Sequence, residues 1–223
     1  VWRIPVIADD AINAFAFVAD DGQVTLLDAG LPYTGRRVRA GLRHLGSDAS
    51  EVTRILATHA HNDHAGGIAR VVAASGAPVL AHEADAPYLA AGRVPPIGPQ
   101  TRARRVWELL GRYPAVTVAS TVADGEAVPG GLRAFHTPGH TPGHLSWLHE
   151  PTGTLVTGDA VHFYRGEVRI GVALYCHDVA LNERSAHRLG ELDYDAVGFT
   201  HGPEIRRGGR DAVRAFLAAR TRP

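Results

Sequence analysis

Two periods of apolar and polar residues share the opening third of the chain. Ala14-Phe15-Ala16-Phe17-Val18 and Val24-Thr25-Leu26-Leu27 flank Asp20-Asp21-Gly22, a pattern that predicts two strands joined by a tight turn. Asp28-Ala29-Gly30 ends the second of them. Between Gly35 and Leu45 the apolar positions Val38, Leu42 and Leu45 share one helical face, with arginines elsewhere, and predict a helix. Val52 to Ala57 reads as the next strand, Ile68 to Ala74 as a helix, and Pro78-Val79-Leu80-Ala81 as another buried strand. Strands alternating with helices predict an α/β layered fold.

The pattern changes between Glu83 and Pro114. Pro95-Pro96 and Gly98-Pro99 interrupt the chain, and a short amphipathic helix follows around Val106 to Leu110. This stretch, residues 84–114, predicts an excursion over the surface within one domain spanning 1–223. It is long for a plain connection, so Tyr88, Pro95, Pro96 and Trp107 are expected to form an apolar lid. Arginines 102, 104 and 105 read as a solvated face balanced by Glu108. Strands resume with Val116-Thr117-Val118, Leu132-Arg133-Ala134-Phe135, Leu145-Ser146-Trp147-Leu148, Thr154-Leu155-Val156-Thr157 and Ala196-Val197-Gly198-Phe199. Asp211 to Ala219 predicts a closing helix.

Composition narrows the class of partner. The 223 residues suffice for a substantial core, and the formal net charge is zero. No basic footprint for nucleic acid or anionic membrane is visible, and no apolar run approaches the ~20 residues of a membrane span. The expected partner is a small-molecule substrate, and the oligomeric state is not encoded in any pattern. One cysteine, Cys176, excludes an internal disulfide framework, and it reads as a buried side chain because no base adjoins it. A cytoplasmic location is expected. The sequence holds no methionine, so residues are expected to precede Val1.

Candidate chemistry gathers just past the predicted strand ends, where α/β sheets place functional groups. In Thr58-His59-Ala60-His61-Asn62-Asp63-His64, three histidines and a carboxylate fall within six positions directly after the Val52–Ala57 strand. Imidazole and carboxylate suit zinc and similar cations. His59 and His61, two apart, project the same way in extended chain and can hold one ion. Asp63 and His64 fall where the chain turns, and Gly66-Gly67 allows close approach. His140 sits between two Pro-Gly turns in His136-Thr137-Pro138-Gly139-His140-Thr141-Pro142-Gly143-His144. Asp159 follows the strand ending Val156-Thr157-Gly158, and His201 follows Phe199-Thr200.

In these motifs the chain resembles the metallo-β-lactamase fold superfamily. Asp28, the His59-x-His61-x-Asp63-His64 signature, His140, Asp159 and His201 match its motifs in order and spacing. The resemblance implies a four-layer αββα sandwich with the site at one edge. It implies His59, His61 and His140 on one metal, Asp63, His64 and His201 on the other, and Asp159 between them. Asp28 would orient a ligand histidine. Two dications ~3.5–4 Å apart can share a hydroxide whose pKa is lowered towards ~7, giving a nucleophile at neutral pH. The expected cofactor is two zinc ions, with iron, manganese or cobalt fitting the same cage.

Asp63, His162 and Tyr164 are the candidate catalytic residues. Asp63 could orient the hydroxide or pass a proton to the leaving group. His162 stands three residues after Asp159, where lactonase-like members often have tyrosine, and reads as a general acid. Tyr164, Tyr175 and His177 follow in the same segment and can reach the cleft. His144 is expected to brace the loop, His136 to lie behind the ligands, His82 to cap the next segment or sit at the cleft edge, and His44, His149 and His187 to be exposed.

The leading expectation is a hydrolase of a carboxylic ester, lactone or thioester. True β-lactamases of the resembled family usually have cysteine or serine where this chain has Asp159. Glyoxalase II members carry a sizeable helical region after the centre, whereas 22 residues follow His201 here. The alternatives are a phosphodiesterase of the same superfamily, which would be expected to show a basic face, and a mononuclear iron persulfide dioxygenase. The dioxygenase would continue after the aspartate with a Gly-Cys-Gly-Arg-like element, and this chain reads Ala160-Val161-His162-Phe163-Tyr164.

Overall fold

A computed structural model describes residues 1–98, 106 and 108–220. The opening hairpin belongs to a six-stranded sheet formed, in spatial order, by β1 (Trp2–Ile7), β2 (Ile12–Val18), β3 (Val24–Leu27), β4 (Val52–Leu56), β5 (Val79–Ala81) and β6 (Ser120–Thr121). The first three pair antiparallel and the last four parallel. Parallel neighbours need crossovers. Helix α1 (Gly35–His44) links β3 to β4, α2 (Asn62–Ala65) and α3 (Ile68–Ser75) link β4 to β5, and α4 (Ala86–Ala91) precedes β6. Pro5 lies on the edge strand β1, where a missing backbone donor is tolerated.

The second half forms a five-stranded sheet from β7 (Ala127–Val128), β8 (Leu132–His136), β9 (Leu145–His149), β10 (Thr154–Val156) and β13 (Ala196–Gly198), ordered β13-β10-β9-β8-β7. A separate hairpin of β11 (Val161–Tyr164) and β12 (Glu167–Ile170) stands beside it. Helix α5 (Val179–Leu189) leads to β13, and α6 (Gly209–Ala218) closes the fold.

Strand alternation turns the two sheets into four layers. Ala14, Ala16, Val24, Leu26 and Ile55 pack on one face of the first sheet against Val38 and Leu42 of α1 and Ile68 and Val71 of α3. Their neighbours Phe15, Phe17, Leu27 and Leu56 point the other way and meet Leu132, Leu145, Trp147 and Val156 of the second sheet. Leu148, Leu155 and Val197 on that sheet's far face pack under Ala186 and Leu189 of α5 and Val213 and Leu217 of α6. A period of two on each strand, met by helices outside, gives the αββα sandwich. No helix among the described residues is long and apolar enough to cross a membrane.

One strand lies four residues beyond its expected place. Val116-Thr117-Val118 is not in the sheet, whose edge is Ser120–Thr121 paired to Leu80 and Ala81. Val116 is buried against the first core and its N–H donates to the Leu89 carbonyl at the end of α4. Its backbone donor thus satisfies a carbonyl in the last turn of a helix and is not free to extend the sheet.

Candidate metal centre

Five strand ends converge at one edge of the sandwich. Strands β3 and β4 deliver Asp28 and the His59–His64 run, while β8, β10 and β13 are followed by His140, Asp159 and His201. Close packing fixes the turn after β4, since a Cβ on Gly67 would collide with the Ala29 carbonyl. Gly158, at φ +54°, leaves room for the His144 ring directly beneath Asp159.

All seven expected ligands lie together. Donor atoms of His59, His61 and His140 fall within 4.8 Å of one another, as do those of Asp63, His64 and His201. His59, His64 and Asp159 form another such group, and Asp159, His162 and His201 a further one. His140 Nε2 lies 2.9 Å from His61 Nδ1. Asp159 sits at the centre, with Oδ1 3.4 Å from His64 Nε2 and Oδ2 3.3 Å from Nε2 of His140, His201 and His162. Asp63 Oδ2 is 3.6 Å from Nε2 of both His64 and His201.

The outward-facing ring nitrogens of His59, His64 and His201 are each held. His64 Nδ1–H donates to Asp28 Oδ2 at 3.0 Å. The same carboxylate accepts the Thr58 N–H at 2.8 Å and its hydroxyl at 2.7 Å. Thr58 Oγ1 then receives His59 Nδ1 at 2.9 Å. His201 Nδ1 donates to the Ala11 carbonyl at 2.6 Å. Asp28 adopts φ +58°, a left-handed conformation that aspartate tolerates. Fixing one nitrogen in this way aims the other inward. The inward Nε2 atoms of His59 and His64 are buried and make no hydrogen bond. Unpartnered buried nitrogens facing a shared carboxylate are what a cation site requires, so the donor set fits a metal.

Burial holds the His59 and His140 imidazoles well below their usual range and brings His61 to about 4. All three are therefore neutral near pH 7 with lone pairs to offer. Burial opposes ionisation of Asp159, yet His201, His64, His162 and His140 around it hold its carboxyl well below the ordinary carboxylate range. Burial likewise works against a proton on His64, but Asp159, Asp63 and Asp28 raise its affinity for one well above normal. The site is built to gather positive charge.

Two supports, Asp85 and Cys176, were not legible in the motifs, and a third, His144, was. Asp85, fully buried at the start of α4, accepts the Ala60 N–H at 2.9 Å, the Thr141 hydroxyl at 2.7 Å and the Gly143 N–H at 2.7 Å. It ties the loop between His59 and His61 to the loop carrying His140. Cys176 Sγ lies 3.6 Å from His140 Nδ1 and 3.5 Å from the Val172 carbonyl. The thiol donates to that carbonyl and its sulfur accepts from His140. His144 Nε2 accepts the Asp159 N–H at 2.8 Å, the bracing role expected of it. A helix-capping aspartate signals Asp85 only weakly, and no local pattern pairs Cys176 with a residue 36 positions away.

The remaining candidates disperse. His136 stacks on His82 at 3.9 Å and donates to the Pro142 carbonyl, bracing the His140 loop from outside. His82 Nδ1 accepts the Ala84 N–H, the expected cap. His44 is exposed, whereas His149 and His187 are half-buried. His177 donates to the Pro96 carbonyl at 2.8 Å.

A cavity of about 1010 Å³ opens over the centre, with Asp63, His140, Asp159, His162 and His201 in its floor. Leu31, Val94, Ile97, Phe163, Val172 and Tyr175 contribute to its walls, and Tyr164 stands at its rim, 56% exposed. Among the described residues of 84–114, Val94, Ile97, Leu110 and Gly111 line the cavity. Tyr88, expected there, packs against the first core instead. Pro99, Trp107 and arginines 102, 104 and 105 lie outside the described residues.

Comparison with known proteins identifies the family. A hydroxyacylglutathione hydrolase of Anaeromyxobacter dehalogenans is 36% identical over 154 residues, 69% of this chain and 48% of its own length. An N-acyl homoserine lactonase of a Bacillus species is 30% identical over 174 residues, 75% of this chain and 62% of the lactonase. The crystal structure of TTHA1623 in a di-iron-bound form matches with TM-score 0.72 at 27% identity, covering 100% of this chain and 99% of that one. The family profile described as Metallo-beta-lactamase superfamily matches residues 8–201, from the first hairpin to the last of the gathered histidines. The chain belongs to the metallo-β-lactamase superfamily, a family of metal-dependent enzymes.

Proposed function

We propose that the protein is a dinuclear metal-dependent hydrolase of an ester-like bond, whether carboxylic ester, lactone or thioester. The observation that carries this reading is Asp159, buried between two donor sets and facing both. His59, His61 and His140 would hold one ion, Asp63, His64 and His201 the other, and Asp159 would bridge them. Zinc is the ion we favour for an imidazole and carboxylate set, with iron the competitor. Such a pair supplies Lewis acidity and activates water at neutral pH.

The chain's own groups divide the remaining work. Asp28, Thr58 and the Ala11 carbonyl fix the imidazoles so that little reorganisation accompanies turnover. Asp63, whose side chain is 28% exposed towards the cavity, carries a proton to the leaving group. Tyr164 at the rim offers a hydroxyl to the departing atom. Apolar walls hold the acyl part and exclude water. The lactonase and the hydroxyacylglutathione hydrolase, named for an oxygen ester and a thioester, support an acyl substrate.

Elemental analysis of the purified protein, followed by an ester, lactone and thioester panel, tests this reading. Near two zinc ions per chain with turnover on one substrate class is the expected result. One iron per chain without hydrolysis would overturn it and point to oxygen-dependent sulfur chemistry.

A further inference from the structure

His162 occupies a position whose geometry differs from that of a proton donor. It lies on β11, a strand outside both large sheets that pairs with β12 through the two-residue turn Arg165-Gly166. Val161 and Val168 are buried in the core beneath α5 and α6, and Phe163 and Ile170 pack against it. Because side chains alternate along a strand, His162 is sent to the opposite face, onto the centre.

There its Nε2 is buried, makes no hydrogen bond, and lies 3.3 Å from Asp159 Oδ2. Among the described residues, four buried imidazole Nε2 atoms lack a partner: those of His59, His64, His162 and His187. The first three belong to donor groups around Asp159, and His187 belongs to none. His162 thus shares the state of two expected ligands. A hydrogen bond to Asp159 does not account for it, because the same oxygen already faces His140 and His201 at 3.3 Å. The Thr200 hydroxyl donates to the other carboxylate oxygen at 2.7 Å. The His162 and His201 rings lie 4.7 Å apart, and their donor atoms close a group with Asp159.

We infer that His162 is a metal ligand, adding an eighth protein donor to the centre on the side of Asp159 and His201. This rests on the two-ion reading above. It changes the chemistry expected of the position: Nε2 gives its lone pair to the ion and is not available to protonate a leaving group. It also strengthens the more open half of the centre with a third imidazole.

Competitive titration with zinc against a chromophoric chelator tests the assignment, using metal-stripped wild type and His162→Ala. The expected result is two ions in wild type and an affinity for the second that falls at least ~10-fold in the variant, the lower end for loss of an outer support alone. Thermal melting of the stripped proteins checks that the variant folds. His162→Cys supplies an independent readout, a thiolate-to-cobalt charge-transfer band on loading with Co(II). Two equally tight ions in His162→Ala, with no such band in His162→Cys, would overturn the assignment alone, whatever happens to turnover. A wild type that takes up one ion would overturn the two-ion reading and this assignment with it.

Discussion

The two sides of the centre are built to different standards of rigidity. His59, His61 and His140 are 1%, 8% and 1% exposed. Their loops are clamped by two buried carboxylates: Asp85 accepts three hydrogen bonds, and Asp28 accepts two from Thr58 and a third from His64 of the other side. On the other side His64 is equally buried, but the Asp63 and His201 side chains are 28% and 24% exposed. His201 is oriented by one main-chain carbonyl at the edge of the first hairpin. A clamped set loses little entropy on binding, whereas exposed ligands must be ordered by the ion itself. On the proposed two-ion reading the three-histidine side would therefore be the tight site, and the Asp63–His201 side the exchangeable one.

The strongest way to break that contrast is to remove the group common to both sides. Asp159→Ala should reduce occupancy of the second ion and lower turnover by more than the ~100-fold that outer supports can cost. Full activity with two ions retained would remove the bridge from the account. Asp85→Ala comes next, and it strikes the clamped side. It leaves the Ala60 and Gly143 N–H groups and the Thr141 hydroxyl without their acceptor. At about 1–3 kcal/mol per stranded donor, partly relieved by relaxation, a loss near ~3 kcal/mol is expected in urea unfolding. The tight ion should weaken as well. Unchanged stability would show that the clamp does not set the contrast.

A smaller effect is expected from Cys176→Ala, which removes the sulfur that accepts from His140. Affinity at the three-histidine side should fall about tenfold or less, with partial rescue by Cys176→Ser. Burial, with the charges of Asp159 and Asp178, pushes this thiol up to about 12. The thiolate is the reactive form, so at pH 8 the native protein should resist a disulfide reagent that labels it once unfolded. Rapid native labelling would contradict the packed environment. The smallest change is Tyr164→Phe. An exposed hydroxyl in high dielectric should cost turnover only severalfold, well below the ~10²–10⁴ of a buried general acid. Metal content should be unaltered, and an unchanged rate would leave Tyr164 as cavity rim.

Much of the centre is readable along the chain because its ligands obey local rules. The apolar run of β4 announces a strand, and the spacing of His59, His61 and His64 then aims the rings without reference to distant residues. Gly158-Asp159 and His201-Gly202 mark strand tips in the same way. The β11–β12 hairpin was not readable, since its turn places Arg165 at φ +53° where asparagine or aspartate is the usual signal. Helix α5 carried an available cue in Asp178, whose carboxylate accepts the Leu181 N–H.

Periodicity is a property of the backbone within one element, so strands, helices and the ligand run follow from composition at neighbouring positions. Contacts such as Asp85 with Gly143, Cys176 with His140, and His162 with His201 span 58, 36 and 39 positions. They depend on sheet order, on register and on which side chains lose water when the layers close. The linear pattern gives Asp85 no role and presents Cys176 as an inert thiol. Folding buries both beside the same loop, where desolvation turns an aspartate into a clamp and a thiol into a support for an imidazole.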